Sequence, residues 1–178
     1  LVDSLHIQKV KEAPVFSDVS PNSWDSVYVQ SAYDAGVIHG VDSQHFNPNG
    51  TIKREDMATM ISNALKVNYV PSSVTSALTF QDENQVSSYA GQSVAASVYL
   101  GILSGYPDHS FAPKASATRA EAAIVISHLL AVNPTQVKLL NAVPAAKINL
   151  TPSSLDVTTI DSQQIGAEVI GANGAVMP

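Results

Sequence analysis

Two arginines stand at the start of segments whose apolar spacing predicts helices, Arg54 and Arg119. The helix macrodipole disfavours a cation in the first turn by roughly 0.3–1 kcal/mol, so a solvated arginine gains nothing there. Two explanations remain open. Each arginine pairs with a carboxylate of its own or a neighbouring segment, or it presents its planar fork to an external carboxylate or phosphate beside the free N–H groups of the helix.

The residues that flank the two arginines differ. Thr118 and Glu121 have the spacing of a capping box, so they start the helix, and they are also candidate ligand contacts. In the other segment Lys53 takes the place of the threonine, which removes the cap and adds a second cation. Lys53 either strengthens an anion site or faces solvent.

Two aromatic residues and two glycines complete the set of candidate binding residues. Trp24 and Tyr89 have rings that can stack on a sugar face, but each opens an amphipathic pattern, and we expect both to anchor the core. Gly40 and Gly105 suit positions where the loop backbone is tight, and they would also let a glycan approach closely.

These candidates occur in pairs because the sequence repeats itself with a period of about 65 residues. Each repeat opens alike, with Phe16-Ser17-Asp18 in the first and Phe80-Gln81-Asp82 in the second. We expect the two aspartates to fix the turn into each repeat and Phe46 and Phe111 to lie in the core. The matched positions are Trp24 with Tyr89, Gly36 with Gly101, Gly40 with Gly105, Phe46 with Phe111, Pro48 with Pro113, Arg54 with Arg119 and Leu65 with Leu130.

Each repeat predicts a helix, a loop and a second helix. Asn22 or Ser23 caps the first helix, and Gly36 ends it in the left-handed conformation. Its apolar face is expected to hold Trp24, Val27, Tyr28, Ala32 and Ala35, and the matching helix of the second repeat packs on Ala90, Val94, Ala95 and Val98. The second helices bury Met57, Met60, Ile61, Ala64 and Leu65, or Ala122, Val125, Ile126, Leu129 and Leu130.

The predicted first repeat covers residues 16–79 and the second covers residues 80–143. The apolar pattern of Leu1–Ile7 resembles the ends of both second helices, so we expect residues 1–15 to be the remnant of a preceding repeat. Residues 144–178 change character and predict the start of a β-sandwich or a linker. The strand signals there are Lys147–Leu150, Leu155–Val157 and Gln164–Ile170, with a hairpin signal at Asn173-Gly174.

Composition narrows the classes of function. The net charge of −6 argues against nucleic-acid or anionic-membrane partners, and no apolar run reaches the ~20 residues of a membrane span. The chain has no cysteine, and its five histidines lack metal-ligand spacing. Neither a nucleophile motif nor a phosphate-binding loop is present in the sequence. We therefore expect a non-enzymatic chain with no cofactor or metal.

The combined pattern resembles S-layer homology domains over roughly residues 1–133. It consists of Phe-x-Asp, an aromatic residue near position nine, Gly-x-x-x-Gly, Phe-x-Pro and Thr-Arg-Ala-Glu before an apolar helix. Thr118-Arg119-Ala120-Glu121 matches the last signature without change, whereas Lys53-Arg54-Glu55-Asp56 keeps only the arginine and an acidic final residue. Residues from about 145 resemble a bacterial immunoglobulin-like module.

The resemblance implies a mainly α fold in which three repeats form a pseudo-threefold helical bundle. It also implies that grooves between repeats bind a secondary cell-wall polymer that commonly carries pyruvate ketals. We accordingly expect an extracellular module that anchors a bacterial surface protein non-covalently to the cell wall. The alternative is a structural module that self-assembles in a surface lattice and recognises no glycan.

Overall fold

The computed structural model describes residues 1–10, 12–142, 145–151, 166–171 and 176–177. They belong to two units, Leu1–Asn141 and Ala142–Pro178. The described part of the first unit is helical, and that of the second consists of strands, which confirms the mainly α class with a short C-terminal β segment. The pseudo-threefold arrangement and the repeat boundaries stay predictions.

Six helices lie in the part of the first unit that the structure describes. α2 packs against α4, and α3 packs against α4 as well, so the second helix of the first repeat lies on the first helix of the second repeat. A 3-10 turn at Glu83–Gln85 opens the second repeat. The helices are α1 (Ser26–Asp34), α2 (Arg54–Ala64), α3 (Ser72–Thr75), α4 (Gly91–Tyr99), α5 (Arg119–Ala131) and α6 (Pro134–Leu140).

α1 begins later than the sequence pattern predicts, and it buries a different set of residues. It starts after Asp25, whose side chain makes no capping hydrogen bond, so the predicted caps Asn22 and Ser23 are wrong. Of the five residues predicted for the apolar face, only Ala32 is buried. Polar side chains are buried instead because they bond the incoming backbone: Ser31 Oγ accepts from Val10 N at 3.0 Å and Gln30 Oε1 accepts from Val15 N at 2.8 Å.

The first helix of each repeat ends on a glycine, as predicted for Gly36. Gly36 has φ +69° and Gly101 has φ +68°, the left-handed conformation that costs a residue without Cβ little. The N–H groups of Val37 and Ile102 bond back to the carbonyls of Ala32 and Ser97. Both helices therefore stop with the same Schellman-type geometry.

The second helices bury part of the predicted stripes. Met57 and Ile61 of α2 are buried, and so are Val125 and Leu129 of α5. The prediction is wrong for Leu130, which is 59% exposed. Small residues let α2 and α4 approach closely, since Ala58, Ala90, Val94 and Ala95 are fully buried where they meet.

An aspartate at the start of each repeat holds the loop between the two helices. Asp18 accepts hydrogen bonds from the N–H groups of Phe46 and Asn47 at 2.9 and 2.7 Å. Asp82 accepts from Phe111 N and Ala112 N, both at 2.8 Å. The aspartates thus fix the loop before the second helix rather than the turn into the repeat. Phe111 is fully buried, as predicted, whereas Phe46 is only partly buried.

Residues Leu1–Ile7 form a turn with the same hydrogen bonds as the end of α2. Leu5 N donates to Leu1 O at 3.0 Å, as Leu65 N donates to Ile61 O at 3.0 Å. Ile7 N donates to Val2 O at 3.1 Å, and Val67 N donates to Ser62 O at 2.9 Å. His6 (φ 52°) and Lys66 (φ 53°) take the same left-handed conformation between these bonds.

The described residues of the second unit form three antiparallel strands in the order β1-β2-β3. The strands are β1 (Ala145–Thr151), β2 (Gly166–Gly171) and β3 (Val176–Met177), and Ile148 pairs with Val169. β1 and β2 overlap two of the predicted strand signals. The signal at Leu155–Val157 and the turn at Asn173-Gly174 lie outside the described residues. The immunoglobulin-like assignment stays a prediction.

Candidate functional site: the junction between the two repeats

The start of α2 is inserted into the loop of the second repeat. Arg54 N donates to Ala115 O at 3.0 Å, and Glu55 N donates to Pro113 O at 3.1 Å. Ala117 N donates to Ile52 O at 2.9 Å, and Lys53 forms an isolated bridge with Ser116. Two of the N–H groups that every helix leaves without an internal partner are therefore satisfied by carbonyls of the next repeat. They are not open to an external anion.

The Arg54 side chain is buried in this junction and bonded on all three nitrogens. Nε donates to Phe111 O at 2.9 Å, one terminal nitrogen donates to Ser104 O at 2.7 Å, and the other reaches Glu121 Oε1 at 2.9 Å. The guanidinium carbon lies 4.6 Å from the centre of the Tyr106 ring and 5.0 Å from that of Phe111. For Arg54 the geometry favours the first explanation, a carboxylate of the neighbouring repeat.

Glu121 links the cap of α5 to Arg54. The predicted capping box is confirmed: Thr118 Oγ1 accepts from Glu121 N at 3.1 Å, and Glu121 Oε2 accepts from Thr118 N at 2.7 Å. The Tyr106 hydroxyl donates to Glu121 Oε1 at 2.6 Å. This bond, those from Thr118 and the charge of Arg54 lower the pKa of Glu121 to about 2. Glu121 therefore stabilises the fold at neutral pH, and that contribution is lost as the pH falls from 4.5 towards 2.

Glu55 lies on the other side of the α2 start and has no exposed surface. Its carboxylate accepts from Ser87 N at 2.9 Å, from Ser87 Oγ at 3.2 Å and from Lys114 Nζ at 2.6 Å. Burial raises the pKa of Glu55, but the hydrogen bonds from Lys114 and Ser87 outweigh it, so the net change in pKa is downward. A buried carboxylate with these donors remains ionised and holds the two repeats together.

Trp24 and Tyr89 are not core residues, and this prediction is wrong. Trp24 is 85% exposed and Tyr89 is 58% exposed. Both precede their helices, α1 and α4. The Tyr89 hydroxyl donates to Asp56 Oδ1 at 2.6 Å and approaches Glu55 Oε1 at 3.3 Å, and the bond to Asp56 raises the pKa of Tyr89. Two exposed rings are thus available to stack on sugars.

The two matched arginines have opposite environments. Arg119 is exposed, as are Lys53 and Thr118. Among the described residues the four ion pairs include Arg54 and do not include Arg119 or Lys53. Lys53 pairs with Ser116 across the junction, three residues before Arg119 in the chain. The structure therefore leaves two cations facing solvent, Lys53 immediately before α2 and Arg119 at the start of α5.

A groove of about 650 Å³ lies in the first repeat, between its loop, α2 and Tyr89 of the second repeat. Gly40, one of the predicted site residues, lines it. It is also lined by His39, Val41, Phe46, Asp56 and Tyr89. Gly105 occupies the matching place in the second repeat, next to the Ser104 carbonyl that binds Arg54.

Several junction residues carried no sequence signal. Tyr106 matches Val41 in the other repeat, and Lys114 matches Asn49, so the repeat comparison does not single them out. Glu55 did carry a sequence signal. It stands at the third position of the signature, where the second repeat keeps the small residue Ala120. Ala120 is exposed, whereas Glu55 is completely buried, so the departure from the signature marks the side chain that the junction encloses.

Gly105→Ala is expected to destabilise the fold by about 1–3 kcal/mol, because the added methyl group overlaps the Phe80 ring and would lie 2.8 Å from Ser110 O. Gly91→Ala is the matched control, since a Cβ there meets nothing within 4 Å at the start of α4. Urea unfolding of both variants measures the difference. Equal destabilisation by the two substitutions would contradict the close approach at Gly105.

The described residues offer no group of three or more acidic or histidine side chains that could hold a metal ion. In the same part of the chain no single helix is long and apolar enough to cross a membrane. By length and composition alone, α5 and α6 pass that test only as a pair, and they are bent by 90° at the break between them.

The chain belongs to the S-layer homology domain family, whose match covers residues 15–58 and 79–123, together half of the sequence. Each match contains one Phe-x-Asp start and one helix-start arginine. The family places the chain at the bacterial cell surface or in the cell wall, as predicted, and its domains are non-catalytic anchoring modules.

Relatives with this similarity are much longer proteins. An amylopullulanase of Thermoanaerobacterium thermosulfurigenes is 38% identical over 128 residues, 71% of this chain and 7% of the relative. Exoglucanase XynX of Acetivibrio thermocellus is 39% identical over 117 residues, 65% of this chain and 11% of the relative. A surface-layer 125 kDa protein of Lysinibacillus sphaericus is 38% identical over 98 residues, 55% of this chain and 8% of the relative. The chain therefore spans about a tenth of these proteins.

Proposed function

We propose that this chain is part of a non-catalytic module that anchors a bacterial surface protein to a secondary cell-wall polymer. The observation that carries the proposal is the pair of exposed cations, Lys53 and Arg119, at the junction of two S-layer homology repeats. The net charge of the chain is −6, so its overall charge does not attract anionic partners. A local basic site therefore favours binding only of an anionic group that contacts it directly.

The ligand that fits this surface is a glycan with carboxylate substituents, such as pyruvate ketals. Arg119 offers a planar fork to a carboxylate, and Lys53 offers a second positive charge. Tyr89 and Trp24 offer exposed rings to neutral sugar faces. In this proposal Arg54 and Glu121 have no direct ligand contact. They fix the position of the α5 start, from which Arg119 projects.

The double variant Lys53→Ala/Arg119→Ala is expected to lower binding to purified cell wall by about tenfold or more, because both side chains are exposed and their loss removes the local charge. Co-sedimentation with wall that retains or lacks its secondary polymer measures this, and circular dichroism verifies that the helices persist. Lys66→Ala/Lys138→Ala removes two exposed cations elsewhere in the first unit and serves as the matched control.

Wild-type binding by the folded Lys53→Ala/Arg119→Ala variant would exclude this basic pair as the anchor.

A second candidate function, self-assembly in a surface lattice, is favoured by Ile124 and Leu130, which are 55% and 59% exposed on α5. Light scattering of the same samples without polysaccharide distinguishes the two, since only self-assembly predicts association that grows with protein concentration.

A further inference from the structure

A cleft of about 400 Å³ lies between α3, α4 and α6. Its walls include apolar side chains of the three helices and of the turn after α3: Val74, Leu78, Val98, Tyr99, Leu139 and Leu140. None of the described residues that line it is charged. Two of them remain in contact with solvent, since Tyr99 is 47% exposed and Leu139 is 59% exposed. The cleft therefore combines an apolar hollow with exposed apolar side chains.

The walls of the cleft are fixed by contacts within the first unit. α3 packs against α4, and Leu140, 1% exposed, anchors α6 in the main core. Asn141, directly after α6, accepts from Asn68 N at 2.8 Å and donates to Lys66 O at 2.9 Å. The cleft is therefore formed before any partner binds, as binding sites usually are.

The matching surface of the first repeat is built differently. Ala95 of α4, which lines the cleft, matches Gln30 of α1. Gln30 Oε1 accepts from Val15 N at 2.8 Å, so the chain before the first repeat is bonded directly to α1 there. α3 and α6 also lie outside residues 15–58 and 79–123, which match the family. The cleft is therefore a feature of this chain and not of the repeat.

We propose that this cleft is a contact surface between two copies of the chain. A contact between identical patches about a twofold axis places the exposed Leu139 of each copy against the cleft of the other. The chain has a net charge of −6, so two copies repel each other over most of their surface. They approach at the lowest electrostatic cost where the surface is uncharged, and burial of Tyr99 and Leu139 favours the contact.

The inference rests on the second candidate function, self-assembly, and is independent of the basic pair proposed to bind the wall. Arg119 begins α5 and α6 follows the end of α5, so the 13 residues of α5, about 20 Å of helix, separate the two regions. An anionic glycan would find no cationic side chain among the described residues of the cleft. A copy bound to the polymer through Lys53 and Arg119 therefore keeps the cleft available, and weak contacts add up when many copies share one wall.

Leu139→Glu tests the contact by sedimentation velocity of this chain from micromolar to millimolar concentration. We expect the wild type to associate reversibly and the variant to associate about tenfold more weakly or less, because a carboxylate would be buried against the apolar cleft of the other copy. Ile124→Glu is the matched control, since Ile124 is 55% exposed on α5, does not line the cleft, and its replacement adds the same charge. We expect Ile124→Glu to associate as the wild type does. Circular dichroism verifies the fold of both variants.

Salt dependence separates this contact from wall binding. Added salt screens the repulsion between negatively charged copies, so association is expected to strengthen, whereas polymer binding by Lys53 and Arg119 is expected to weaken. NMR locates the surface. We expect the methyl signals of Val74 and Val98 to shift with protein concentration and that of Ile124 to stay unchanged.

A monomer at every protein and salt concentration would overturn the contact, and so would association that Leu139→Glu leaves unchanged. Equal weakening by Leu139→Glu and Ile124→Glu would also overturn it. Association that is lost only in Ile124→Glu would assign self-assembly to α5, so the cleft would fail while the second candidate function stands. Loss of wall binding by the Lys53→Ala/Arg119→Ala variant leaves these outcomes unaffected.

Discussion

Arg54→Ala is expected to lower the free energy of unfolding of the first unit by about 3–5 kcal/mol, because it removes one partner of a largely buried ion pair. The side chain of Arg54 is 4% exposed and that of Glu121 is 23% exposed, so the carboxylate would lose its cation in a partly enclosed place. The carbonyls of Ser104 and Phe111 would lose their donors as well. These groups belong to the second repeat, so the loss weakens the contact between repeats.

Arg119→Ala is the matched control for this variant, because the residue occupies the same position in the other repeat. It is exposed, and its removal is expected to change stability by no more than about 0.5 kcal/mol. Arg54→Lys keeps the positive charge but not the planar guanidinium group, and we expect it to recover less than half of the lost free energy of unfolding. Urea unfolding followed by circular dichroism is the measurement, since the single tryptophan, Trp24, is 85% exposed and reports folding poorly. Equal effects at positions 54 and 119 would contradict the junction described here.

The contrast between these two arginines shows what the sequence can and cannot predict. Features that depend on a few neighbouring residues were predictable: the left-handed ends at Gly36 and Gly101 and the capping box of Thr118 and Glu121. The environment of an arginine is decided by whatever packs on it. Identical positions in a repeat can therefore be buried or exposed, and the repeat pattern alone cannot distinguish them.

The errors in the first helix have the same origin. Spacing of apolar residues predicted a face containing Trp24 and Ala35, yet α1 buries Gln30 and Ser31 because they satisfy the backbone of the segment before it. Periodicity counts apolar side chains and cannot recognise a polar one that is buried with a partner. The aromatic rings of Trp24 and Tyr89 were assigned to the core for the same reason.

The junction gives the wall-anchoring proposal its physical basis. Arg54, Glu55, Asp56 and Glu121 are bonded to groups across the boundary between repeats, so the acidic residues near the two helix starts are largely engaged in the protein. Lys53 and Arg119 remain exposed beside them. A rigid acidic and aromatic framework that leaves two cations facing solvent can bind an anionic polymer without a positive net charge.

Glu55→Ala is expected to destabilise the first unit by about 3–5 kcal/mol, an effect as large as that of Arg54→Ala. Its carboxylate is fully buried and joins Ser87 and Lys114 of the second repeat to α2. Removal leaves the Ser87 N–H without its acceptor and creates a cavity between the repeats. The matched residue of the second repeat, Ala120, is already an alanine and is exposed. Within the described part of the chain, no neighbouring repeat encloses the side chain at that position.

Glu55→Gln separates the charge of this residue from its volume. The amide fills the same space and still accepts from Ser87 N, so we expect it to lose less stability than Glu55→Ala at neutral pH. Because the pKa values of Glu55 and Glu121 are lowered on folding, both carboxylates stabilise the wild type above pH 4.5 and less as the pH falls below it. Glu55→Gln should therefore lose less stability than the wild type as the pH falls below 4.5, a difference that thermal unfolding at several pH values measures. An unchanged pH dependence in Glu55→Gln would show that Glu55 is not an ionised partner of Lys114.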